Sequence, residues 1–113
     1  MTGAGVADLN GCSHGVEVWI ELKSTAEWAV DISCFQVGWA ERRIRYGGRV
    51  YIAVRRNHAA TKRTEPADDL YLFHGSEARH LMDGGLRGAV ALGRWAGGPA
   101  AWDWAAVRKN IFG

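Results

Sequence analysis

Cysteine is scarce in this sequence, with Cys12 and Cys34 the only two in 113 residues. That is too few for a disulfide scaffold, and neither has a Cys or His nearby in zinc-finger spacing, so both are expected to be reduced thiols. Long apolar runs are missing as well. Each is broken by Arg, Asp or Glu far short of the ~20 residues that a membrane-crossing helix needs. The N-terminal stretch MTGAGVADLN has neither a basic start nor an apolar core, which argues against a secretory signal. The expectation is a soluble, cytoplasmic protein with no membrane partner. No internal repeat or low-complexity linker divides the chain. What is present is an ordinary globular composition, 48% hydrophobic, 23% charged and 11% aromatic, at a length that suits a single domain over 1–113.

The net charge of +2 conceals an uneven distribution. Residues 42–63 contain Arg42, Arg43, Arg45, Arg49, Arg55, Arg56, Lys62 and Arg63 and no Asp or Glu, so eight of the 14 basic residues fall in one fifth of the chain. Residues 1–41 reverse the balance, with Asp8, Glu17, Glu21, Glu27, Asp31 and Glu41 against Lys23 alone. A basic run without acids suits a polyanion such as a nucleic-acid backbone. The residues expected to meet phosphate are Arg42, Arg45, Arg55, Arg56, Lys62 and Arg63. A solvated surface is the plainer alternative.

Residues 15–23, GVEVWIELK, alternate strictly. Val16, Val18, Ile20 and Leu22 fall on one side of a strand and Glu17, Trp19, Glu21 and Lys23 on the other. Gly11 to Gly15 reads as a hairpin loop, which makes Val6 to Asn10 a short antiparallel partner. Ser33 followed by Gln36 has the form of a capping box and predicts a helix over 34–46, stopped by Gly47-Gly48. Its stripe would hold Phe35, Trp39 and Arg42 or Arg43, with Val37, Ala40 and Ile44 nearby and Glu41, Arg42 and Arg45 facing out. RVYIAVR (49–55) reads as a buried strand, 57–69 as a loop and LYLF (70–73) as a strand. Residues 76–85 then read as a short helix capped by Ser76 and stopped by Gly84, 87–95 as a strand, and 102–112 as a helix. This order predicts an α/β fold, a mixed sheet with the first helix as crossover and helices packed on it. A smaller antiparallel sheet with peripheral helices is the alternative.

Residues two apart in a strand share a face, so Glu21 and Lys23 set a carboxylate beside an ammonium, about 7 Å apart along the strand. If Asp8 on the hairpin partner points the same way, two carboxylates face a common point, a hard-oxygen site suited to Mg²⁺ or Mn²⁺. Such an ion polarises a phosphoryl oxygen and lowers the pKa of its bound water. Lys23 would then orient or help deprotonate that water, or neutralise charge on the phosphate.

The ordered set Gly5-Val6-Ala7-Asp8, Val18-Trp19-Ile20-Glu21-Leu22-Lys23, Gln36-Val37-Gly38-Trp39 and Gly48-Arg49-Val50-Tyr51 resembles the PD-(D/E)XK nuclease superfamily, most closely its VRR-NUC branch. The resemblance covers roughly residues 3–55, with about 69–113 as a C-terminal extension. It implies a restriction-endonuclease-like mixed β-sheet flanked by helices, here lacking the usual N-terminal helix, with Ala7 where the family has proline. By the same resemblance Asp8 and Glu21 are metal ligands, joined by the main-chain carbonyl of Leu22, Lys23 is the catalytic lysine, and Gln36 positions Lys23 or the nucleophile. The implied activity is Mg²⁺- or Mn²⁺-dependent endonucleolytic hydrolysis of DNA. Relatives in that branch are often homodimers of phage or prokaryotic cells that act in recombination and repair on branched DNA such as four-way junctions.

Each residue has a plainer explanation beside the functional one. Glu21 and Lys23 could be a solvated ion pair, Gln36 only the partner of Ser33 in the capping box, and Asp8 a turn residue. His14 could approach a metal but reads more simply as a surface residue, and His58, His74 and His80 read as structural. Trp95, Trp102 and Trp104 could stack on bases, but core packing or an oligomer interface fits better. With Ile111 and Phe112 they are expected to form or border a dimer interface, or else to cover the sheet within one chain. The rival function is a catalytically silent nucleic-acid-binding module of the same fold.

Overall fold

The alternation of residues 16–23 becomes a strand with different company on its two faces. A computed structural model describes residues 8–13 and 15–113. β1 (Leu9–Ser13) pairs antiparallel with β2 (Val16–Thr25), and β2 runs parallel to β3 (Arg49–His58). β4 (Ala67–His74) and β5 (Gly93–Trp95) follow antiparallel, giving one five-stranded sheet in the order β1-β2-β3-β4-β5. The helices are α1 (Cys34–Arg45), α2 (Ala78–Gly84) and α3 (Trp104–Phe112), with single 3₁₀ turns at Gly75–Glu77 and Gly85–Gly88. This is the mixed α/β arrangement read from the sequence, and α1 is the crossover that a parallel pair requires. Among the described residues no helix is long and apolar enough to cross a membrane.

Two cores sandwich the sheet. Val50, Ile52 and Val54 of β3 and Tyr71 and Phe73 of β4 point to one face, where they meet Val37 and Ala40 of α1 and Ala78 and Leu81 of α2. The intervening residues Tyr51, Leu70 and Leu72, with Val18, point to the other face and meet Trp102, Val107 and Ile111. Both faces of β3 and β4 are thus buried, which is why their sequences read as nearly continuous apolar runs. The C-terminal aromatics serve as the intramolecular cover: Trp102 is buried and Phe112 packs against that second core, while Trp104 keeps 52% of its surface exposed.

α1 begins and ends as its sequence dictates. Ser33 Oγ accepts from the Gln36 N–H at 3.2 Å and Gln36 Oε1 accepts from the Ser33 N–H at 3.0 Å, a complete capping box. At the other end Gly47 takes φ +90°, and the Gly47 and Gly48 N–H groups bond to the Ile44 and Arg43 carbonyls. This is the Schellman closure, in which glycine tolerates the left-handed residue.

Four expectations need correction. The hairpin is tighter than predicted: Gly11, Cys12 and Ser13 pair with Val18, Glu17 and Val16, so the chain reverses between Ser13 and Val16, with Gly15 at φ +76°. A glycine that accepts positive φ permits a shorter turn and a longer ladder. Gly5, Val6, Ala7 and His14 lie outside the described residues. Phe35 does not share the buried stripe of α1 but is 69% exposed, because the capping box turns Gln36 toward the sheet and brings Val37 and Ala40 inward with it. The loop predicted for 57–69 is shorter, since β3 runs to His58 and β4 starts at Ala67. Finally, only 93–95 of the strand predicted for 87–95 joins the sheet, because Val90 N–H is held by Glu77 Oε1 at 2.8 Å and the segment before it winds into the 3₁₀ turn.

Candidate active site

Glu21 and Lys23 project from the same face of β2 that α1 covers, and the capping box brings Gln36 over both. Gln36 Nε2 donates to Glu21 Oε1 at 2.9 Å, and Lys23 Nζ donates to Gln36 Oε1 at 3.1 Å. Lys23 Nζ also stands 3.4 Å from Glu21 Oε1, which closes a three-residue ring. Gln36 Oε1 therefore accepts from both the Ser33 N–H and Lys23 Nζ, so the cap and the candidate site share one atom. Ile32, Trp39, Ala40, Ile52 and Ala78 close around Glu21 and Gln36, leaving a gap of only about 20 Å³. Glu21 is consequently 8% exposed, a charged side chain rarely so buried without a partner.

Asp8 reaches this cluster from the strand next door. Its Oδ2 accepts from the Leu22 N–H at 2.9 Å, just beyond the Leu9–Ile20 pair that ends the β1–β2 ladder. The N–H and C=O of one strand residue point to the same side, so the Leu22 carbonyl turns toward the edge where Asp8 sits. Asp8, Glu21 and the Leu22 carbonyl thus supply oxygen atoms to one neighbourhood, and both donors to Glu21 converge on Oε1. Among the described residues no group of three or more His, Cys, Asp or Glu side chains converges. Two carboxylates and a carbonyl nevertheless match the habit of Mg²⁺, which binds through one or two carboxylates and keeps several waters.

Burial pushes the Glu21 carboxyl above its ordinary pKa, and the negative charge of Asp8 pushes it further, while the Lys23 ammonium pulls it partly back. A buried acid raised by a second acid is a recurring mark of a functional site, though structural ion-pair networks produce it too.

The six basic residues expected to bind phosphate do not form one surface. Arg42 and Arg45 are exposed on α1, and Lys62 and Arg63 are exposed in the 59–66 connection. Arg55 and Arg56 are successive strand residues and point to opposite faces. Arg55 is tied to Asp68 by two 2.7 Å hydrogen bonds and lies over the Trp102 ring. Arg56 shares the face of Glu21 and Lys23, donates to the Glu27 carbonyl at 3.0 Å and lies 3.9 Å from the Trp28 ring centre. Asp68 escaped the sequence reading because its partner is fixed by the β3–β4 register, which places it diagonally from Arg55. Trp28 and Arg87 escaped it as well, since only the fold brings them beside Arg56.

Trp19 shares the sheet face of Glu21 and packs against Trp39, which borders the gap beside Glu21 and Gln36. Its ring meets Trp39 edge-on at 5.0 Å, and Arg43 lies over both rings while pairing with Glu17 at 3.6 Å. His58, His74 and His80 make local contacts with Ala59, Ser76 and Glu77, in keeping with structural roles. No protein-family model matches this sequence, and no curated protein matches it.

Proposed function

We propose that this protein is a metal-dependent DNA endonuclease of the PD-(D/E)XK type, with a restriction-endonuclease-like sheet and its nearest likeness in the VRR-NUC branch. The observation that carries the reading is the Glu21–Gln36–Lys23 ring with Asp8 beside it, polar residues of β2, of α1 and of the bend before β1 meeting at one end of β2. An ion pair kept only for solubility needs neither burial nor a bridging amide.

Asp8, Glu21 and the Leu22 carbonyl would hold Mg²⁺ or Mn²⁺, with Glu21 Oε2 as the ligand atom because Oε1 already takes two donors. When bound, the ion polarises the phosphoryl oxygen and acidifies the attacking water. Lys23 keeps donor capacity beyond its bond to Gln36, enough to orient a water or to meet charge developing on the phosphate. Gln36 fixes where that ammonium stands. Arg42, Arg45, Lys62 and Arg63 remain open to the flanking backbone, and Arg56 lies on the same face of the sheet as Glu21 and Lys23.

A homodimer belongs to the proposal. Leu9, Leu22 and Trp104, each about half exposed, border an apolar groove of about 470 Å³ floored by Ile20, Ala53 and Leu70, which a second copy would cover. Such a dimer would hold two sites at a fixed distance, as branched DNA in a prokaryotic or phage-infected cytoplasm would require. The test is incubation of the purified protein with linear, nicked and four-way-junction DNA, with and without Mn²⁺. Cutting only with the metal supports the endonuclease, and tight binding without cutting supports a silent nucleic-acid-binding module instead.

A further inference from the structure

Immediately past β2 the chain forms a loop whose position is fixed from three directions. Thr25 Oγ1 donates to the Ala29 carbonyl at 2.9 Å and accepts from the Glu27 N–H at 3.1 Å. Arg56 Nε donates to the Glu27 carbonyl at 3.0 Å, and the Leu86 N–H donates to the Trp28 carbonyl at 2.8 Å. The last contact requires glycine at 85: its φ is +65°, and a Cβ there would come within 2.4 Å of the Trp28 carbonyl oxygen. This close approach delivers Arg87, two residues on, to the Trp28 ring.

The outcome is two guanidinium groups on one indole. The Arg56 and Arg87 carbons lie 3.9 and 4.1 Å from the Trp28 ring centre. The indole's electron-rich face attracts each cation but does not neutralise it. Among the described residues neither guanidinium has an ion pair. Asp69, directly across the ladder from Arg56, gives its carboxylate to Arg94 at 2.8 Å instead. Glu27 engages Arg56 through its main-chain carbonyl. Two like charges gathered without a counterion favour an anion, and a guanidinium presents the planar fork that phosphate oxygens fit.

We propose that Trp28, Arg56 and Arg87 form a binding site for a nucleic-acid phosphodiester that flanks the candidate active site. The place supports this: Thr25 follows Lys23 on the same face of β2, so the stack stands about 7 Å further along the strand, roughly one nucleotide's reach. Beside it opens a hollow of about 570 Å³ lined by Glu27, Trp28, Arg56, His58, Thr61 and Thr64, wide enough for backbone to pass. The proposal rests on the nucleic-acid part of the proposed function and not on cutting.

The experiment measures the affinity for a labelled DNA duplex against salt in EDTA, where no cutting enters. Arg87 is exposed and, among the described residues, its side chain makes no hydrogen bond or ion pair, so Arg87→Ala should fold normally and reduce the slope of log affinity against log salt by about 0.9, one phosphate contact. Arg87→Lys keeps the charge and should keep most of the slope. An unchanged slope in Arg87→Ala would overturn the site, and so would an equal loss in Arg87→Lys, which would make the residue a packing element. A protein that binds with these slopes but fails to cut with Mn²⁺ would leave the site standing and remove the endonuclease.

Discussion

Gln36 Nε2 donates to Glu21 Oε1 at 2.9 Å across 15 residues of sequence, and the same amide's oxygen caps α1. Ordering the helix N-terminus and fixing the Glu21–Lys23 pair are therefore one event. Losing the amide should cost both.

Gln36→Ala removes the acceptor for the Ser33 N–H and for Lys23 Nζ together. The expected loss of stability is about 1–2 kcal/mol, a helix cap plus a buried hydrogen bond. Urea denaturation checks it, and a loss under about 0.3 kcal/mol would mean the ring contributes nothing to the fold. Any cleavage activity should fall in kcat more than in KM, since Gln36 positions Lys23 and does not grip DNA.

Glu21 gives a pH prediction with a definite sign. Its folded pKa lies above the ordinary 4.5, so between the two values the folded protein binds more protons than the unfolded chain. The group's favourable contribution is complete below about 4.5 and is lost as pH rises through the folded pKa. Glu21→Gln deletes that titration while keeping an oxygen for Gln36 Nε2. The Tm of the wild type relative to Glu21→Gln should therefore fall between pH 4 and pH 7, and a relative rise would show that Lys23 outweighs burial and Asp8.

Gly85→Ala puts a Cβ against the Trp28 carbonyl in a backbone conformation that is essentially restricted to glycine, φ +65° and ψ −158°. The expected cost is about 1–3 kcal/mol. A thermal melt at wild-type temperature would show that the 85–88 turn moves freely and does not anchor the 25–29 loop.

The element order, β2 and the caps of α1 were legible because each is written locally, in alternation, in Ser33-x-x-Gln36 and in Gly47-Gly48. Glu21 and Lys23 were legible as a pair because residues two apart in a strand share a face, whereas Asp8 and Gln36 joined them only through the family resemblance, since their approach depends on the hairpin and on the crossover helix. Part of the basic run is paired in the fold, for a non-local reason. Its lack of acids holds along the sequence only, since the β3–β4 register hands Arg55 to Asp68, and the β1–β2 hairpin leaves Glu17 within reach of Arg43. Phe35 misled because helical spacing gives a stripe but not its rotation, which Gln36 sets. Nothing local announces that Gly85 must approach Trp28.

Arg42 and Arg45 should each account for part of the salt dependence of DNA binding, with alanine variants losing about 0.9 from the log–log slope on a duplex. Arg55→Ala should leave that slope unchanged, because Asp68 already occupies its fork in both hydrogen bonds. An equal loss at Arg55 would show that DNA displaces Asp68.

The most direct measurement is a cleavage assay on a supercoiled plasmid and a four-way junction, with Mn²⁺ or EDTA, using the wild type, Glu21→Gln and Lys23→Ala. Circular dichroism and DNA affinity are recorded on the same samples. Cutting by the wild type is expected with Mn²⁺ alone, with a loss of at least a hundredfold in both variants, which should stay folded and still bind DNA. Wild-type protein that is folded and binds DNA but leaves both substrates intact with Mn²⁺, or variants that cut as well as the wild type, would contradict the proposed endonuclease.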